Sequence, residues 1–152
     1  MRAVANSTPL IHLSRASALH LLFKLYEEVV IPRAVYVEVV VKGLERGFGN
    51  AEVVKAAVEE GLIRVEEAPT DGVERVMRIA PMLHRGEAEV LALALRYKPC
   101  HVLLDDRVAR LVASTLELEA HGTLYVLAAA AARNAIAVEE ALSICLLYTS
   151  PS

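Results

Sequence analysis

A chain of 152 residues fits one domain, and a hydrophobic fraction of 55% supplies a sizeable core. A net charge of −3 argues against a general polyanion binder, so any nucleic-acid contact must come from a local patch. No apolar run approaches the ~18–20 residues of a membrane span, and no basic start leads into an apolar stretch and cleavage site, so a cytoplasmic protein without a membrane partner is expected.

The elements alternate strand and helix. Arg2–Ala5 reads as a first strand, followed by helical spacing of Leu10, Leu13, Leu21, Leu22 and Leu25 over Pro9–Ser14 and Ala16–Leu25. Val29-Val30-Ile31 is a second strand, and Pro32 starts a helix reaching about Arg46. The Gly47-Phe48-Gly49-Asn50 turn stops it, and Asn50 is placed to cap a helix over Ala51–Glu60 that Gly61 closes. Leu62–Val65 is a third strand, and helices are predicted over Val73–Ala80 and Glu87–Tyr97. His101–Leu104 is a fourth strand, Arg107–Thr115 a helix and Glu117–Ala120 a short fifth strand. Gly122-Thr123 opens an apolar helix ending near Asn134, and Val138 begins a last one.

That order predicts a parallel sheet of four to five strands, covered by helices on both faces. One domain is expected over residues 1–145. The tail from Leu146 to Ser152 abandons the charged, Ala-rich pattern and resembles translated adapter sequence, which would leave the native C-terminus missing. Glutamine is absent and asparagine is limited to Asn6, Asn50 and Asn134, a composition that leans towards thermophilic proteins.

The most informative stretch is His101-Val102-Leu103-Leu104-Asp105-Asp106-Arg107, a short apolar run ending in two adjacent carboxylates. Open α/β sheets place their chemistry at such carboxyl ends. Ala3-Val4-Ala5 ends similarly in Asn6-Ser7-Thr8, and Glu87 opens a helix in Arg85-Gly86-Glu87. Polar groups on one rim suggest a divalent-metal site and phosphodiester chemistry. The histidines, His12, His20, His84, His101 and His121, show neither HxxxH nor HxH spacing, and Cys100 and Cys145 form no CxxC pair, so zinc is not indicated. No GxxxxGK[ST], GxGxxG or GxSxG motif occurs.

Each rim residue also has a structural use. Asp105 or Asp106 can cap the following helix, Glu87 suits a first helical turn, and Glu38 has Lys42 four positions on. Asn6, Ser7 and Thr123 sit where helix caps belong.

Five segments carry a family resemblance: Val4–Ile11, Ile31–Val40, His84–Ala94, Leu103–Arg110 and Gly122–Leu127. In order and spacing they resemble a PIN-domain protein of the archaeal and bacterial group related to VapC toxins, from the first strand to about Ala141. The resemblance implies a three-layer α/β/α fold and a metal-dependent endoribonuclease using Mg²⁺ or Mn²⁺. Asp106, Glu87, Glu38 and Asn6 take the catalytic and metal positions, with Asp105 as a further ligand. Ser7 and Thr123 are accessory, and Arg107, Arg85 and Arg110 are placed to meet RNA phosphates. RNA, a small antitoxin protein and a second copy in a homodimer are the implied partners. Asn6 departs from the family pattern, which has an aspartate there. An amide oxygen can ligate Mg²⁺ but carries no charge. The alternative is therefore a degenerate PIN-like module that binds nucleic acid or protein and cuts nothing.

Overall fold

The protein is described by a computed structural model over residues 1–149. Strands β1 (Arg2–Ala5), β2 (Glu28–Pro32), β3 (Ile63–Glu66), β4 (His101–Leu103) and β5 (Glu119–His121) form one sheet in the order β3-β2-β1-β4-β5. Every pairing is parallel, and the register aligns Ala3 with both Val29 and His101. The central strands are apolar runs without polar alternation, as expected where both faces are covered. The fold is thus α/β with a five-stranded parallel sheet, the upper end of the predicted range.

Between β1 and β2 lie α1 (Ser7–Arg15) and α2 (His20–Leu25). Helix α3 (Arg33–Tyr36), a π-helical turn (Val37–Val41) and α4 (Lys42–Glu45) form one continuous path after β2, followed by α5 (Gly49–Glu59). Helices α6 (Thr70–Ile79) and α7 (Arg85–Tyr97) precede β4, α8 (Arg107–Thr115) joins β4 to β5, and α9 (Thr123–Ala132) and α10 (Val138–Thr149) finish the described chain. Helix α7 packs on β1, β2 and β4, with α6 beside it. Helices α2 and α9 pack together against β2 and β5. Strand alternation separates the layers. Arg2 reaches the Tyr97 ring at the end of α7, while His101, paired with Ala3, meets Tyr26 and Tyr125.

Helices α1, α4, α5, α8 and α9 stop by a common device. In each of five cases a residue in left-handed conformation lets the next amide reach back to the last turn: Ala18 to Leu13, Phe48 to Gly43, Leu62 to Ala57, Leu118 to Ala113 and Ala135 to Ala130. The left-handed residues are Ser17, Gly47, Gly61, Glu117 and Asn134. Ser17 follows the end of α1 in left-handed conformation, so the predicted helix over Ala16–Leu25 is instead a turn followed by α2. Asn50 does not cap α5. That helix begins at Gly49 behind Phe48, and the Asn50 amide donates to Ser14 Oγ at 3.3 Å. Leu146 to Thr149 continue α10, and residues 150–152 of the predicted tail lie outside the described residues.

Substitutions at Gly43, Ala51 and Glu117 test the helix ends and crossings. A Cβ on Gly43 would lie 2.8 Å from the Ala51 Cβ, where α4 crosses α5. Gly43→Ala should cost about 1–3 kcal/mol in urea unfolding despite alanine's better helix propensity, and Ala51→Gly should recover part of that in the double mutant. Glu117, at φ 59° and exposed, carries the strain of a left-handed non-glycine residue. Glu117→Gly should raise stability by up to about 1 kcal/mol, because removing the Cβ penalty outweighs the entropy added to the unfolded chain.

Candidate functional site

The chain runs β1, β2, β3 across the sheet in one direction, then returns to place β4 and β5 on the other side of β1. The switch point therefore lies between β1 and β4, where helices depart in opposite directions and leave a crevice. The ladder persists to this edge: the Asn6 amide donates to the Leu103 carbonyl at 3.0 Å, and the Leu104 amide to His121 O at 2.9 Å. Asn6 and the Asp105-Asp106 pair are thus brought together at the carboxyl ends of adjacent strands.

Asn6 occupies the N-cap position of α1, yet its side chain makes no capping hydrogen bond. The next residue, Ser7, is buried and donates its hydroxyl to Glu38 Oε2 at 2.5 Å. Glu38 sits in the π-helical turn, on the exposed side of an otherwise apolar Val37–Val41 segment. A π turn inserts one residue into helical periodicity and re-aims the side chains around it. Here it lets Val39 and Val40 stay buried while Glu38 faces the crevice.

The adjacent aspartates divide their work. Asp106 caps α8 and accepts from the Ala109 amide at 2.8 Å. Asp105 turns inward. Its Oδ1 accepts from the Thr123 amide and its Oδ2 from the Thr123 hydroxyl, each at 2.6 Å, and His12 Nδ1 lies 3.1 Å from Oδ2. Gly122 makes this possible, since a Cβ there would lie 2.8 Å from Asp105 Oδ1. Thr123 is accordingly a buried strut between β5 and β4. Tyr148 stacks on His12 with ring centroids 4.2 Å apart.

Glu87 is buried in the first turn of α7 and accepts from the His84 amide at 3.0 Å. Glu89 lies closer to solvent, 3.5 Å from Arg85. Of the predicted phosphate-binding residues, Arg107 is exposed at the start of α8 and Arg85 faces Glu89. Arg110 is committed to the interior, its Nη1 donating to Leu104 O at 3.1 Å and Asp105 O at 2.8 Å. A cleft of about 530 Å³ beside the crevice is lined by Glu38, Glu89, Arg33, Lys42 and Arg46 among others. The cations Arg33, Lys42 and Arg46 were not singled out from the sequence. Their signal is a basic spacing along α3 and α4 around Glu38.

Glu38, Glu87 and Asp106 are hard oxygen donors, and with the Asn6 amide oxygen they suit Mg²⁺ or Mn²⁺ in kind. They are not drawn to one point. Among the described residues a single group of three His, Cys, Asp or Glu side chains holds its ligand atoms within 4.8 Å of one another, and it comprises His101, Glu119 and His121 instead. Sequence reasoning missed this second cluster because two strands build it. Glu119 and His121 share one face of β5, and the parallel register sets His101 of β4 opposite Glu119. The available signal was the i, i+2 spacing in Glu119-Ala120-His121, read as a strand. The hydrogen bond from His121 holds the Glu119 carboxyl below its ordinary range, and burial pushes the His101 imidazole down.

The comparisons with known proteins bear on the fold and the family. The model of the DUF3368 family, described as a PIN domain, matches residues 2–146. No curated protein matches the sequence. Among solved structures the chain is similar to the crystal structure of PAE2754 from Pyrobaculum aerophilum, at 18% identity and a TM-score of 0.58, covering 87% of this chain and 99% of that one. That likeness concerns the fold, while the family model spans nearly the whole chain. The chain belongs to the PIN-domain family.

Proposed function

We propose that this PIN domain is a metal-dependent endoribonuclease. The observation that carries the proposal is the Ser7–Glu38 pair at the switch point, opening on a cleft that combines carboxylates with Arg33, Lys42 and Arg46. Carboxylates suit a divalent cation, and the basic side chains suit the phosphates of a single strand. Asp106, Glu87 and Glu38 would hold the cation, with Asn6 offering its amide oxygen and Asp105 steadying the β4 edge through Thr123. A Mg²⁺ or Mn²⁺ ion bound there supplies a water of lowered pKa and offsets charge on the leaving oxygen.

The protein's own contribution is positional. Ser7 fixes one oxygen of Glu38, whose side chain is otherwise exposed. The α8 cap keeps Asp106 at the strand end, since Asp106 Oδ2 is the atom used for capping. Exposed Arg107 stands one residue further on, beside any phosphate that approaches Asp106. Membership of a toxin–antitoxin pair, with a small antitoxin and a homodimer, extends the same proposal. Growth arrest on expression, relieved by a co-expressed neighbouring reading frame, is its test.

A second reading rests on Asn6 and on the separated carboxylates. In it the chain binds RNA and cuts nothing, because one charge is missing from the cation site.

Cleavage of a fluorescent single-stranded RNA, with Mn²⁺ or Mg²⁺ and an EDTA control, distinguishes the two. Glu38→Ala should lower the rate about 100-fold or more, equivalent to roughly 3 kcal/mol of lost charge stabilisation. Ser7→Ala should lower it about tenfold, the worth of one hydrogen bond to a charged group. Equal rates in wild type and Glu38→Ala would sink the nuclease assignment.

Asn6→Asp restores the missing charge. It should tighten Mn²⁺ binding in calorimetry by about tenfold, or ~1.4 kcal/mol, and raise the cleavage rate. If wild type and Asn6→Asp both bind RNA and neither cuts it, the binding-module reading stands.

A further inference from the structure

We propose that His101, Glu119 and His121 form a binding site for a borderline transition cation of the Zn²⁺ class, separate from the oxygen-rich rim. His101 Nε2 and His121 Nε2 each lie 2.7 Å from the same atom, Glu119 Oε2. Imidazole nitrogens with one carboxylate are donors that select Zn²⁺, Co²⁺ or Ni²⁺ over Mg²⁺. Around a tetrahedral Zn²⁺ the ligand atoms stand roughly 3.3 Å apart, given metal–ligand bonds of about 2.0–2.2 Å. The two nitrogen–oxygen distances need to open by about half an ångström to reach that spacing, and all three ligand atoms already lie within 4.8 Å of one another. Glu119 is an exposed side chain on an edge strand, so a rotation of its carboxylate supplies the movement.

The two imidazoles are already oriented. His101 Nδ1 lies 2.8 Å from the Tyr26 hydroxyl, so with the cation on Nε2 the Nδ1–H donates a hydrogen bond to the hydroxyl oxygen. The His121 ring is stacked on Tyr125, with centroids 3.7 Å apart and planes within 12°. Tyr26 enters from the end of α2, where it is buried, and the more exposed Tyr125 from α9. A ligand set fixed in this way by a second ring of contacts is what separates a built site from a chance pairing of charges. Three protein donors leave a fourth position to water. Because β4 contributes one donor and β5 two, the bound cation would clamp the edge strand to its neighbour.

Nothing in the nuclease proposal depends on this site, and its failure leaves that proposal untouched. The test uses the whole protein, Zn²⁺ and Co²⁺ alone as probes, and three readouts: calorimetric Zn²⁺ binding, the visible absorption of bound Co²⁺, and thermal unfolding. One equivalent of Zn²⁺ should bind and raise Tm by about 5–10 °C at a hundredfold excess over Kd. Co²⁺ should give the intense visible band of a four-coordinate ion. Both signals should vanish in His121→Ala and in Glu119→Gln, whose exposed side chain leaves folding intact, and persist in Asp106→Ala. Tyr26→Phe, acting through His101, should weaken binding about 10-fold or more. Retention of the Co²⁺ band in both His121→Ala and Glu119→Gln, or no saturable binding by wild type, would overturn the proposal and leave a hydrogen-bonded ion-pair triad.

Discussion

The parallel pairing of β1 with β4 is the constraint on which the other features depend. It places the end of a strand at the start of the chain beside the end of one formed about a hundred residues later. The closing hydrogen bond, from the Asn6 amide to Leu103 O, fixes the height at which both chains leave the sheet. From that level α1 and α8 diverge, and the crevice between them is a by-product of topology. Ser7, Asp105 and Asp106 gain their roles from where the ladder stops. Apart from Arg2 and His101 the residues of β1 and β4 are buried, and a slip of one residue would move their side chains to the opposite layer, so the placement of the rim is tied to that of the core.

The rim also keeps neighbouring like charges apart. Asp105 and Asp106 are consecutive, yet one is absorbed by Thr123 and His12 and the other by the first turn of α8. Glu87 is satisfied by a backbone amide of its own helix turn. Each carboxylate thus has a local donor that tolerates its charge without a cation. These local bonds compete with any drawing of the acids to one point. A bound ion would have to compete with those donors, and Asn6 leaves it one charge fewer with which to do so.

Much of this was legible in the chain because the strands are short, apolar and bounded by recognisable punctuation. Gly47 and Gly61 announced two helix ends, and Pro32 announced a beginning. The turn before α2 was not legible, because Ser17 adopts the left-handed conformation that a glycine would have signalled. Asn50 looked like a cap, but its side chain serves the packing of α5 on α1 through Ser14. The rim residues were readable since they follow strands directly in sequence. The inward turn of Asp105 was not, because it depends on space left by Gly122 across the β4–β5 ladder. The His101–Glu119–His121 cluster was hidden for a related reason: local spacing describes one strand, whereas that cluster is a property of register.

The extra residue in the Val37–Val41 turn has a consequence for how this protein can change over time. An α-helix advances about 100° per residue, so an insertion of one is a permanent phase shift between α3 on one side and α4 on the other. Loss of Val37, the valine between α3 and Glu38, would remove the extra residue and still leave an apolar run. It would also rotate Glu38 away from Ser7 by roughly a quarter turn. The segment is therefore robust to drift in composition but brittle to drift in length. In related chains, indels should be rarer here than the blandness of a valine run suggests.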